Sequence, residues 1–177
     1  IDPNARISYP WPYKDEYHPT YWATTESIRF LETRDRDKPF FLMTSYVRPH
    51  QPFDAPEAFY NIYKDKELRP PFRGEWEDET NTLRQNYIKD SVLGTTHEES
   101  IERAMKGYYA SITHTDSQIG RLIGALQEDG SYEDTVIIFL SDHGELLFDH
   151  LTFRKSFPYQ GSVQVPFIPQ RGILPRF

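Results

Sequence analysis

Asp134-Thr-Val-Ile-Ile-Phe-Leu-Ser-Asp142-His143-Gly144-Glu145 is an apolar run that ends abruptly in a carboxylate, an imidazole, a glycine and a second carboxylate. A continuous run of this kind reads as a strand buried on both faces. In open α/β sheets, ligands bind where such a strand leaves the sheet at its carboxyl end. Asp142 and His143 are adjacent, so on a straight strand they point to opposite faces. Gly144 releases the backbone just after them and allows a turn that brings both side chains to one ion. A carboxylate paired with an imidazole suits a divalent metal that is not purely thiophilic. For the tetrapeptide alone the better reading is a turn in which Asp142 accepts backbone hydrogen bonds and His143 packs at the rim.

Outward from this stretch, the chain reads as alternating helices and strands. Residues 1–19 hold four prolines and several aromatics, which predicts an irregular, packed arm. Trp22, Ile28, Phe30 and Leu31 recur at near-helical spacing, so a helix is expected over Thr20–Arg34, stopped before Pro39. Phe40-Phe-Leu-Met-Thr-Ser-Tyr46 predicts a short buried strand that delivers His50, between Pro49 and Pro52, at its end. Residues 53–97 read as a long excursion with a short helix near Pro56–Tyr63. Thr96-His-Glu-Glu99 has the form of a capping box. Behind it Ile101, Met105, Tyr108, Ile112, Ile119, Leu122 and Leu126 predict a long amphipathic helix that stops at Gly130. A second apolar run, Val163–Ile168, follows the Asp142–Lys155 loop. This order indicates an α/β domain.

Composition narrows the function. Twenty-seven acidic against 20 basic residues give a net charge of −7, which argues against a nucleic-acid partner held by phosphate contacts. No apolar stretch is long enough to span a bilayer, so a membrane partner is not expected. Zero cysteine excludes a disulfide scaffold, a zinc–thiolate site and a cysteine nucleophile within these 177 residues. Lys155 is a mobile cation suited to a tetrahedral oxyanion, or else a solvated lysine. His50 is suited to protonating a leaving oxygen, or else to packing. His97 and His114 fall at a helix start and inside a helix and read as structural. His18 and His150 stay open, with His150 the stronger because it shares a loop with Asp142 and Lys155.

The ordered blocks from about residue 18 to 168 resemble the type I sulfatases of the alkaline-phosphatase superfamily. The blocks are Phe40-Phe-Leu-x4-Val-Arg-Pro-His50-x-Pro52, Tyr108-Tyr-Ala-Ser-Ile-x4-Ser-Gln-Ile-Gly120, Ser141-Asp-His-Gly-Glu145, Asp149-His150 and Lys155-x3-Tyr159-x3-Val163-x-Val-Pro-Phe-Ile168. The resemblance implies a sulfatase-like sheet sandwiched by helices, incomplete in this chain, with residues 1–177 as the central to C-terminal part of one catalytic domain. It implies hydrolysis of a small sulfate ester, aryl or carbohydrate, with a Ca²⁺ ion (alternatively Mg²⁺ or Mn²⁺). Asp142 and His143 would ligate that metal, His143 at a place many members fill with Asn. Lys155 would bind a sulfate oxygen, His50 would contact the sulfate and protonate the leaving alcohol, and His150 and Arg154 would contact substrate. Phe148 stands where many members have Gly, and Gln164 where many have Arg. Ser45-Tyr-Val-Arg48 lacks the Pro or Ala of the formylglycine precursor motif, and the early Asp-Asp metal pair is missing. The formylglycine nucleophile is therefore expected outside this chain, and the chain alone without turnover. Two alternatives accompany this reading: a phosphodiester or phosphonate-monoester hydrolase of the same superfamily, and a non-catalytic binding protein on the same fold.

Overall fold

The computed structural model describes residues 8–77 and 97–171. The described residues fall into two compact units, one of residues 8–66, 103–135 and 171, the other of residues 67–77, 97–102 and 136–170.

In the first unit, helix α1 (Pro19–Thr33) begins where expected. His18 caps it, its Nδ1 accepting the Thr20 N–H at 3.1 Å, and Pro19 sits in the first turn, where its missing N–H costs nothing. The buried stripe, however, is Thr20, Thr24, Ser27 and Leu31, while Trp22 is 61 % exposed. Small hydroxyl residues let the helix approach the 40–46 segment closely. Thr24 shares a hydrogen bond with the Tyr46 hydroxyl and Ser27 one with Thr44, each at 2.8 Å.

That segment corrects a second expectation. Residues 40–47 alternate half-buried and exposed with a period of two, with Phe41 and Met43 outward, but they join no ladder among the described residues. The side-chain rhythm of a strand is present without a partner to hydrogen-bond. Helix α2 (Glu57–Tyr63) follows. The arm is not wholly irregular: the Tyr9 N–H donates to Phe53 O and the Trp11 N–H to Ala55 O, pinning residues 53–55 by their backbone.

Helix α3 (Glu98–Glu128) ends as its glycine predicts. Gly130 takes φ +77°, its N–H donates to Gln127 O, and the Ser131 N–H reaches Leu126 O. This pair of reversed bonds satisfies the last carbonyls. Arg34, just beyond α1, pairs with Asp129 just beyond α3 at 3.0 Å, joining the two helix ends. Thr96 of the expected capping box lies outside the described residues. Met105 and Leu126 are buried as expected, but Ile112 is 40 % exposed, and the rest of the buried stripe is mostly small or polar: Ala104, Ala110, Ser111, His114, Gln118.

His114 is 1 % exposed, edge-on to His18 at 4.6 Å and tilted against Phe59. Burial first, then the neighbouring His18, push its pKa from 6.5 down to about 4. The unfolded chain therefore takes up this proton before the folded one, so stability is complete above about pH 6.5 and is lost as pH falls toward 4. The loss amounts to about 3 kcal/mol. Denaturant titrations of the full-length protein at pH 7 and pH 4 should show it, and His114→Gln should remove most of the difference. An equal difference in the variant would dismiss His114 as its source. Asp54 acts in a lower window: burial raises its pKa, but bonds from His18 and Arg48 outweigh this and leave it below 3.8.

In the second unit, strand β1 (Val136–Leu140) pairs with β2 (Phe167–Arg171). The expected strand over Val163–Ile168 is displaced: a single helical turn, α4 (Gln160–Val163), occupies its start. Pro166 has no N–H to give a ladder, and the strand begins just after it. Burial of β1 on both faces is not met either. Val136, Ile138 and Leu140 are each more than half exposed, because a two-stranded sheet covers few of its own side chains. The core of this unit lies instead in the loop after β1: Leu146, Leu147, Phe148, Leu151 and Phe153.

Candidate active site

Asp142, His143 and Lys155 line one cavity of about 510 Å³, together with Phe157, Pro158 and Ser162. β1 carries the first two to its carboxyl end. The Asp142 carboxylate is 87 % exposed, and its Oδ2 lies 3.8 Å from His143 Nε2. Its Oδ1 accepts the His143 backbone N–H at 3.0 Å. His143 Nδ1 lies 2.7 Å from the Gly144 carbonyl, which can only accept. That bond places a proton on Nδ1 and makes Nε2 the ring nitrogen suited to a metal. Gly144 brings the other wall close: its N–H donates to Ser162 O at 2.8 Å. Among the described residues no three His, Asp or Glu side chains form a metal cluster. The doublet presents one carboxylate oxygen and one ring nitrogen to the cavity.

The loop that returns the chain to Lys155 has an unusual backbone. Leu147, Phe148, His150, Leu151 and Arg154 all take positive φ, between 44° and 75°. Each such residue costs about 1–2 kcal/mol against glycine, and strain of this kind clusters at functional sites. Two devices hold it. Glu145 Oε1 accepts the Leu147 and Arg154 backbone N–H groups, and the apolar side chains of the loop are buried. Phe148 shows the exchange most clearly. At φ 75°, ψ −1° its backbone is one that glycine adopts freely, yet its ring is 1 % exposed and packs 5.4 Å from Phe153. Here burial of a large side chain offsets a backbone conformation that glycine would supply without strain.

The remaining sequence candidates fall elsewhere. His150 does not line the cavity. Its Nδ1 meets Glu77 Oε1 at 2.6 Å, and its ring stacks 4.0 Å from Tyr159 and 6.0 Å from Trp76. Arg154 lies beside Phe153, its guanidinium 5.8 Å from that ring. His50 belongs to the first unit, where its Nδ1 meets Gln51 O at 3.1 Å. His18, open from sequence, is the fully buried cap of α1, with Nε2 3.5 Å from Asp54. Sequence reading missed Glu77 and Ser162. Glu77 partners a histidine 73 positions away, and no local signal announces that. Ser162 follows Gly161 in the turn that faces Gly144, and its nearness to a glycine was the available hint.

A family model described as sulfatase matches residues 3–169. The chain is 44 % identical over 167 residues to an arylsulfatase of Clostridium perfringens, covering 94 % of this chain and 35 % of that one. It is 34 % identical to a multifunctional alkaline phosphatase superfamily protein, PehA, of Trinickia caryophylli, covering 86 % and 32 %. Its fold is similar to the crystal structure of the phosphonate monoester hydrolase of Agrobacterium radiobacter, with a TM-score of 0.82 and 26 % identity over 97 % of this chain and 36 % of that one. The chain thus spans about a third of the length of the curated relatives it matches.

Proposed function

The chain belongs to the sulfatase family, and from this premise we propose that it forms part of the catalytic domain of an enzyme that hydrolyses small sulfate esters, aryl or carbohydrate. The observation that carries the reading is the shared cavity of Asp142, His143 and Lys155, three residues that stand in sulfatase-like motifs. Cleavage of a sulfate ester builds charge on the non-bridging and leaving oxygens, and fixed positive groups stabilise it. Lys155 holds a non-bridging oxygen. Asp142 and His143 would hold a divalent cation together with groups outside this chain, and that cation would supply Lewis-acid polarisation of the ester group. His50, on the other unit, takes its part in this reading from the sulfatase-like motif it stands in, as the group that gives a proton to the departing alcohol. The nucleophile, a formylglycine, and the remaining metal ligands come from sequence outside this chain, which has no cysteine. By itself the chain does not turn over.

One observation favours a second reading. Calcium takes oxygen ligands, whereas a pair of one carboxylate and one imidazole also admits first-row transition metals, Mn²⁺ among them. His143 beside Asp142 therefore fits a phosphonate-monoester or phosphodiester hydrolase that uses such a metal, and the likeness to the Agrobacterium phosphonate monoester hydrolase supports that class of activity. Assaying the full-length protein with an aryl sulfate and a bis-aryl phosphate, after chelation and reloading with Ca²⁺ or Mn²⁺, separates the two. The expected result is the larger kcat/KM on the sulfate. An equal or larger value on the phosphate would reverse the order.

A further inference from the structure

We infer that Asp54 is a positioning residue for His50, acting through a buried fork with Arg48; the inference rests on the leaving-group role of His50 proposed above. Arg48 stands two residues before His50 on the same proline-rich loop. Its Nε and Nη2 donate to the two carboxylate oxygens of Asp54 at 2.5 and 2.7 Å, and the two side chains are 9 % and 2 % exposed. His18 Nε2 lies 3.5 Å from the same carboxylate.

Asp54 is itself fixed, because the arm binds the backbone carbonyls of both its neighbours, Phe53 and Ala55. Residues 51–56 are all buried, and the His50 N–H closes a turn onto Val47 O at 2.9 Å. The loop is therefore tied on both sides of His50, by the Arg48 fork before it and the buried 51–56 run after it.

Stability alone does not account for a buried ion pair here. Such a pair gives little net stability over an apolar pair of similar volume, since desolvation cancels most of the attraction. What a fork-to-carboxylate contact does supply is direction: two parallel bonds fix the guanidinium plane and, with it, the backbone it hangs from. A general acid has to be held to a fraction of an ångström, and a loop is a poor platform without such a brace. The fork meets that need.

The test uses Asp54→Asn and Arg48→Lys in the full-length protein, with His50→Ala alongside. Turnover is measured on sulfate esters whose leaving groups run from nitrophenol to simple alcohols, and melting temperature reports the folded state. A poor leaving group needs the acid and a good one does not. The two variants should lose less than about threefold on the nitrophenyl ester but about ten- to a hundredfold on the alkyl ester, following the slope of His50→Ala. Arg48→Lys keeps the charge and loses only the fork, so it carries the test if Asp54→Asn does not fold. A uniform loss across the series, or none, while His50→Ala keeps its slope, overturns the positioning role alone. A flat series for His50→Ala overturns the acid role and the inference with it.

Discussion

Lys155→Ala in the full-length protein lowers kcat for an aryl sulfate by about 10²- to 10³-fold, with the melting temperature unchanged. The ammonium of Lys155 shares its cavity with Asp142 and His143, and a cation placed there meets charge as it develops. Lysine is a compact point charge on a flexible stem, so removing it leaves the oxyanion without that donor while the walls stay in place. The loss falls on kcat more than on KM if the contact strengthens as the S–O bond breaks. Lys155→Arg keeps a charge with different reach and fork geometry and recovers only part of the rate. A Lys155→Ala enzyme with unaltered kcat would take Lys155 out of the chemistry.

Gly144→Ala has the second largest effect, and it acts through the backbone. A Cβ at Gly144 overlaps the Gly161 carbonyl oxygen and comes within 3.1 Å of its carbon and 3.4 Å of Gln164 O. Backbone atoms cannot swing aside as a side-chain tip can. The Asp142–Glu145 turn and the Gln160–Gln164 segment must move apart, breaking the Gly144 N–H bond to Ser162 O. Overpacking of this sort costs about 1–3 kcal/mol. These segments are also the two walls of the cavity, and a displacement near 1 Å costs about 10²-fold in rate. The internal control is Gly161→Ala, whose Cβ would meet nothing nearer than Glu145 O at 3.2 Å. Denaturation and turnover of both variants check this: a large loss for position 144, a small one for 161. Equal effects would show that crowding at Gly144 does not set the cavity's shape.

Much of the chain was readable in one dimension because the deciding physics was local. The α1 helix from about Thr20, the stop at Gly130 and the apolar run of β1 follow from helical spacing, a left-handed turn and a continuous hydrophobic stretch. Each acts within a few residues of itself. The ordered motifs likewise named the family, which the match over residues 3–169 bears out. Asp142, His143 and Lys155 were singled out as residue types with the right chemistry at the end of a strand, before any cavity was in view.

Other features depended on partners far along the chain. Apolar spacing pointed to Trp22 and Ile112 as inward, yet hydroxyl and small residues face in, because close approach of backbones rewards small side chains over large ones. Phe40–Tyr46 had the rhythm of a strand, but a ladder also requires a neighbour, and rhythm says nothing about neighbours. From sequence His150 ranked above His18 as a site candidate. Thr20 makes His18 a buried helix cap beside Asp54, and Glu77 with Tyr159 makes His150 part of a ring stack. A residue's type states what it can do; only its distant contacts state which of those things it does, since burial and hydrogen bonding are shared between groups that the linear order keeps apart.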